Sequence, residues 1–286
     1  MEGIFILGGI YMKRVIESKK VNKDIYAKLY SDLHYVPGDK LLFLKKSIEK
    51  SEINKPDYVF FLGDLIDDSL YTKEQLKELY ELVTRMAKLS KTIMVLGNHD
   101  QFTRTEDGKW LDKYNDDYVN ELKDRGVVVL QNEAYQDNNI CVYGTRFSGD
   151  YYEEREPYDE FENNIKKAEF ETGKYNILME HSPKHTFNGK IISSFDNLKD
   201  VDLTLAGHYH NGCIPWYIDK FLPGNFGLMD PYMNLFPKNA RGVKQITDTN
   251  LGIVSAPLTT FTSISGLSKV QPLYRSCEQE ILIKKK

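Results

Sequence analysis

The chain has 286 residues, 41% of them hydrophobic and 12% aromatic, so it can bury a large core and is too long for a minimal domain. Its formal net charge of -4 mixes both signs along the chain, which argues against a broad basic face for nucleic acid. Three widely spaced cysteines, Cys141, Cys213 and Cys277, with no Cys-x-x-Cys, indicate neither a disulfide framework nor a thiolate zinc site, and a reducing cytoplasm is the expected compartment.

The apolar run from Ile4 to Met12 is much shorter than the ~20 residues needed to cross a bilayer, and Lys13, Arg14, Lys19 and Lys20 follow rather than precede it. By these criteria it is neither a signal peptide nor a spanning helix. Residues 1–24 read as an extension or an extra strand, with weak interfacial anchoring as the lesser alternative. From Asp24 the pattern becomes rhythmic. Ile25 to Tyr30 alternates like a strand and delivers Asp32 and His34. Leu41, Leu42, Leu44 and Ile48 recur at helical spacing, and Pro56-Asp57 leads into the strand Tyr58-Val59-Phe60-Phe61, which ends at Gly63-Asp64. Leu76, Leu79, Val83, Met86 and Leu89 mark an amphipathic helix, and a strand from Thr92 to Leu96 ends at Gly97-Asn98-His99-Asp100. Strand, helix, strand, helix, strand argues for a parallel βαβ arrangement, in which ligands collect beyond the carboxyl ends of the strands.

A polar segment from Asp100 to Asn120 leads through a helix to Val127-Val128-Val129-Leu130, and Ile140 to Tyr143 is a further strand. The acidic, tyrosine-rich stretch from Ser148 to Lys167 reads as a loop and helix forming a solvated face, or a rim of the site. Ile177-Leu178-Met179 leads to His181-Ser182-Pro183, and Leu203 to Ala206 leads to Gly207-His208-Tyr209-His210. Beyond Asn211, Pro215, Pro223, Gly227, Pro231 and Pro237 punctuate a stretch with Trp216, Phe221, Met233 and Phe236, so 211–250 is expected to be an ordered loop or lid. Leu251 to Val254 and Glu280 to Ile283 read as closing strands. With no repeat or low-complexity linker, 1–286 is expected to be a single domain.

Five of the six histidines fall directly after these apolar runs. Asp32, His34, Asp64, Asn98, His181, His208 and His210 are seven hard or borderline ligands without a thiolate, which suits two divalent ions such as Mn, Fe, Zn or Ni. A two-metal hydrolytic centre also needs a carboxylate that bridges the ions. Taken singly, Asp32 and Asp64 would be ordinary turn or capping residues, and only their joint presence reverses that reading. His185, with no partner motif, reads as surface or rim, Arg146 as a surface ion pair, and Asp67 as a group holding a ligand or a helix N-terminus.

The ordered set Asp32-x-His34, Gly63-Asp64-x-x-Asp67, Gly97-Asn98-His99-Asp100, His181 and Gly207-His208-x-His210 resembles the calcineurin-like metallophosphoesterases from about Ile25 onward. The tail, with Leu235-Phe236-Pro237-Lys238, Gly252 to Ser255, Pro272 and Glu280 to Ile283, looks like the bacterial branch that includes membrane- or envelope-associated phosphodiesterases. The resemblance implies a four-layer α/β/β/α sandwich of two mixed β-sheets with a dinuclear metal site at the strand ends. It implies that Asp32, His34 and His210 hold one metal, Asn98, His181 and His208 the other, and that Asp64 bridges. It further implies that His99 protonates the leaving oxygen, with Asp100 orienting its ring, while a water bridging the two ions attacks phosphorus. The sequence departs from the family's pattern at Asp68-Ser69 and at Asn211-Gly212-Cys213, and it lacks the membrane helix of some relatives. The expected activity is therefore a metal-dependent phosphodiesterase on a small phosphoester, with no nucleic-acid partner and at most weak, peripheral contact with a membrane. The competing classes are a nuclease of the same metal chemistry, which salt-sensitive DNA binding would reveal, and a non-catalytic scaffold, which would be inert toward phosphoesters while metal-loaded.

Overall fold

In the run Tyr58–Leu62 every side chain is buried, and neighbours alternate between two cores. Val59 and Phe61 join one apolar cluster, whereas Tyr58, Phe60 and Leu62 join another. A strand that is apolar on both faces belongs inside a layered structure, and the rest of the chain supplies the layers. The computed structural model describes residues 3–6, 9–105, 110–218, 221–222, 224–259, 273–274 and 276–286. Pro223 and Pro272, and residues 7 and 8 of the N-terminal apolar run, lie outside the described residues.

The first sheet has seven strands: β1 (Gly3–Ile6), β2 (Gly9–Ser18), β3 (Ile25–Tyr30), β4 (Tyr58–Leu62), β5 (Lys91–Val95), β8 (Val127–Leu130) and β15 (Ser276–Lys285). Their order is β1-β2-β15-β3-β4-β5-β8. Strands β3, β4, β5 and β8 run parallel, and β15 is antiparallel to β3 but parallel to β2. The second sheet has the order β13-β14-β12-β11-β10-β9. It is built from β9 (Glu133–Gln136), β10 (Ile140–Gly144), β11 (Tyr175–Met179), β12 (Leu203–Ala206), β13 (Gly242–Gln245) and β14 (Leu251–Val254). Its four inner strands are parallel and its two edges antiparallel. A small hairpin, β6 (Phe102–Arg104) with β7 (Trp110–Asp112), follows the third motif and was not anticipated.

The inward faces of the two sheets share one core, with Leu29, Phe60 and Ile93 from the first and Val142, Ile177, Leu205 and Ile253 from the second. Helices α1 (Leu42–Ile53), α2 (Lys77–Leu89) and α3 (Asp116–Asp124) cover the outer face of the first sheet through Leu44, Ile48, Leu79, Val83, Met86 and Leu122. Helices α4 (Gly149–Glu153), α5 (Tyr158–Ile165) and α6 (Gly189–Ile192) cover the outer face of the second. The architecture is an α/β/β/α sandwich of two mixed sheets.

One local reading changes. The stretch from Ser148 to Lys167 is not simply a solvated face: Tyr151, Tyr152, Phe161 and Ile165 are buried in the outer core of the second sheet. Most of its charges occupy the other side of two short helices, whereas Glu156, between them, is buried. The N-terminal run contributes the strands β1 and β2, and β2 is inserted into the first sheet beside β15. The 211–250 segment contains the edge strand β13 and two isolated bridges, Phe226 with Lys238 and Met229 with Leu235. Among the described residues no helix is long and apolar enough to cross a membrane.

Candidate metal centre

Each motif stands at the carboxyl end of a strand, where the chain must turn sharply. Asp32, His34, Asp64, His208 and His210 all adopt positive φ, between 47° and 64°. Such left-handed backbone costs about 1–3 kcal/mol per residue unless the surroundings enforce it, and Asp and His are among the side chains that accept it best. The surroundings are backbone: the amide of Asp32 donates to the Gly63 carbonyl at 3.0 Å and that of His34 to the Asp64 carbonyl at 3.0 Å. The turn after β3 is thereby zipped to the turn after β4. The glycines make this approach feasible. A Cβ on Gly97 would stand 2.2 Å from Asp64 Oδ1, and one on Gly63, where φ is +91°, would stand 2.4 Å from His181 Nδ1.

The seven predicted ligands converge in two groups joined by Asp64. Asp32, His34 and His210 form one set of close ligand atoms, and Asp64, His181 and His208 form a second. In the first, His34 Nε2 faces His210 Nε2 at 3.3 Å, and His210 Nε2 is 3.6 Å from Asp32 Oδ1. In the second, His208 Nδ1 faces His181 Nε2 at 3.1 Å, and His181 Nε2 is 3.2 Å from Asn98 Oδ1. Asp64 Oδ1 is committed to the His99 amide at 2.8 Å. Its Oδ2 lies 3.6 Å from His34 Nε2 and 3.1 Å from His181 Nε2, so one oxygen addresses both sets.

This chemistry fits divalent ions. Two imidazole nitrogens pointed at each other at such distances are satisfied either by a single shared proton or by a common cation. The buried Asp32 Oδ2 and His210 Nδ1 have no hydrogen-bond partner among the described residues. Charge distribution follows the same geometry. Burial alone would raise the Asp64 carboxyl, but the imidazoles of His181, His99 and His34 hold it well below the usual carboxylate range. Burial opposes protonation of His181, yet Asp64 and Asp32 push its pKa up to about 10. Burial and neighbouring imidazoles outweigh the nearby carboxylates at His208, driving it well down, and at His210, lowering it to about 4.

His99 stands beside this cluster, with its ring 4.5 Å from that of His34 and 18% of its side chain exposed. Its Nδ1 is 3.0 Å from the carbonyl oxygen of Asp67 and 3.4 Å from Asp67 Oδ1. Asp67 Oδ1 is also 3.3 Å from His34 Nδ1, so Asp67 lies between a ligand and His99. Among the described contacts the carboxylate beside His99 Nδ1 is that of Asp67, where Asp100 was expected. Asp100 instead accepts from the amides of Asp64, Leu65, Ile66 and Gly97 and from the Tyr118 hydroxyl. It is the staple that shapes the Gly63 and Gly97 turns; burial first, then Asp64, raises its pKa to about 6.

Two other residues differ from expectation. His185 is buried and donates from Nε2 to the Glu156 carbonyl at 2.9 Å. Arg146 donates from Nε to Gln101 Oε1 at 2.9 Å and lies 4.0 Å over the Tyr114 ring, an arrangement other than a surface ion pair. Sequence reasoning missed Glu156, Tyr152 and Tyr232, which surround His208. The apolar spacing of Phe161 and Ile165, four apart, was the available signal that this insertion packs inward.

The family model described as calcineurin-like phosphoesterase matches residues 28–212. An uncharacterized metallophosphoesterase of Aquifex aeolicus is 26% identical over 255 residues, covering 87% of this chain and 83% of that protein. One of Campylobacter jejuni is 27% identical over 199 residues, covering 70% of this chain and 47% of that protein, so the chain spans about half the length of that relative. Among solved structures, a dimetal phosphatase from Danio rerio overlaps 82% of this chain and 88% of its own at a TM-score of 0.42 and 11% identity.

Proposed function

The chain belongs to the calcineurin-like phosphoesterase family, the metal-dependent hydrolases of phosphoric esters, and on that premise we propose that it is a phosphodiesterase with a dinuclear centre. Asp32, His34 and His210 would hold one divalent ion, Asn98, His181 and His208 would hold the other, and Asp64 would serve both. The observation that carries this assignment is the position of Asp64 Oδ2 between two facing pairs of imidazoles. Bound there, such ions would supply Lewis acidity, acidifying a water toward neutral pH and offsetting charge on the phosphoryl oxygens.

The remaining chemistry belongs to side chains. His99, held through Nδ1 by Asp67, protonates the leaving oxygen from its other ring nitrogen. No nucleophilic side chain and no covalent intermediate is needed. Among the described contacts of the seven ligand side chains none comes from Lys or Arg, which suits a singly charged diester better than a doubly charged monoester. The expected partner is a small phosphoester.

The test is hydrolysis of bis-p-nitrophenyl phosphate and p-nitrophenyl phosphate by chelated protein, alone and after addition of Mn or another divalent ion, beside elemental analysis. Restored activity with two ions per chain, greater on the diester, supports the proposal. Two ions with monoester preference would overturn the diester assignment, and no bound metal would overturn the whole reading.

A further inference from the structure

Behind His208 lies a buried carboxylate that the proposed reaction does not use. Glu156 and the preceding Arg155 both have positive φ, 62° and 60°, a conformation that neither side chain favours. The kink is held by the Glu156 amide donating to the Tyr151 carbonyl at 2.6 Å and by His185 Nε2 on the Glu156 carbonyl at 2.9 Å. Glu156 Oε2 accepts from Ser182 Oγ at 2.7 Å, one residue beyond the ligand His181. Its Oε1 accepts from the Tyr232 hydroxyl and stands 3.8 Å from His208 Nε2. That nitrogen is buried and has no hydrogen-bond partner among the described residues, while the opposite nitrogen, Nδ1, faces His181 Nε2. The rings of Tyr152 and Tyr232 pack 5.4 Å and 5.8 Å from the His208 ring, so it has little freedom to turn elsewhere.

An imidazole ligates through one nitrogen only when its proton is parked on the other, and the acceptor of that proton fixes both tautomer and orientation. We propose that Glu156 is the positioning residue of His208, accepting Nε2–H so that Nδ1 is presented to the second ion, and that Tyr232 ties the 211–250 segment to this ligand through the same carboxylate oxygen. A closure of under ~1 Å brings His208 Nε2 and Glu156 Oε1 to hydrogen-bond distance. The chain around Tyr232 is thereby coupled to metal binding through one side chain. The inference rests on the dinuclear reading above.

The experiment is calorimetric titration of chelated protein with Mn or Zn, comparing wild type with Glu156→Gln, Tyr232→Phe and the double variant. Glu156→Gln is expected to weaken one of the two ions by about 10–100-fold and to leave the other at wild-type affinity. Tyr232→Phe should weaken the same ion by less, and the double variant should be no worse than Glu156→Gln, because both act through one oxygen. Unchanged affinity for both ions, or equal weakening of both, overturns the proposal. If Glu156→Gln does not fold, Tyr232→Phe decides alone, and wild-type binding in it is the overturning result. A wild-type protein that never takes up two ions defeats the dinuclear assignment itself, an outcome visible before any variant is compared.

Discussion

His99 Nδ1 lies 3.0 Å from the carbonyl oxygen of Asp67, a backbone atom that no side-chain substitution at 67 removes. His99→Asn is therefore expected to retain both ions and lose about 10²–10⁴-fold in turnover, the usual range for a missing general acid. Asp67→Ala should lose less, because the carbonyl still orients the ring while only the carboxylate at 3.4 Å is gone. Wild-type turnover in a metal-loaded His99→Asn protein would remove His99 from the reaction.

Asp64→Ala is expected to deplete both ions together rather than one. Asp64 Oδ2 lies within 3.6 Å of an imidazole nitrogen from each set, His34 Nε2 and His181 Nε2. Elemental analysis after desalting reads this directly, and a variant that still carries two ions per chain has no bridge at Asp64.

A methyl group at Gly97 tests the turn rather than the ligands. Gly97→Ala places a Cβ 2.2 Å from Asp64 Oδ1, so the carboxylate must move and metal content and melting temperature should both fall. Gly224→Ala is the control, since no atom of the described residues lies within 4 Å of its Cβ position. Equal behaviour of the two variants in a thermal melt and a metal assay would show that the close approach does not matter.

Far from the centre, Lys28 and Glu278 form a fully buried pair at 2.5 Å, supported by Ser47 Oγ on Glu278 at 2.7 Å. Removing one partner strands a charge, and Lys28→Met is expected to cost about 3–5 kcal/mol in chemical denaturation. Burial alone would raise the Glu278 carboxyl, but Lys28, Ser47 and Lys50 lower it below the ordinary glutamate value. A carboxylate depressed in the folded state stabilises above its unfolded pKa, near ~4.3, and loses that contribution as the pH falls beneath it. The gap in melting temperature between wild type and Glu278→Gln should thus be widest near neutrality and close on acidification. A gap that does not narrow in acid contradicts the depressed carboxyl.

Much of the site was legible because parallel strands buried on both faces read as continuous apolar runs, and each run names its own end. Asp32, Asp64, Asn98, His181 and His208 each follow such a run, and the chain brings them together. The role of Asp100 was not legible. Adjacency to His99 in sequence invites a side-chain partnership, whereas the turn at Gly97 sends the carboxylate into backbone amides. Glu156 was hidden for another reason. It lies among Glu153, Glu154, Asp159 and Glu160, and composition cannot separate one inward carboxylate from its solvated neighbours when a two-residue left-handed kink does the separating. The two-sheet architecture came from the resemblance to a family, since periodicity reports that a strand is buried and not which strand it pairs with.

Strand β15 sits between β2 and β3, so residues near both ends of the described chain are interleaved in one sheet. A chain emerging from the ribosome makes every candidate ligand before it makes β15. Until residues 276–285 dock, β3, which leads to Asp32 and His34, presents a bare row of amides and carbonyls, and so does β2. Assembly therefore waits on a pairing across some 250 positions (Ile25 with Ile283, for example), a slow, high-contact-order step during which the nascent protein is exposed to intermolecular strand pairing.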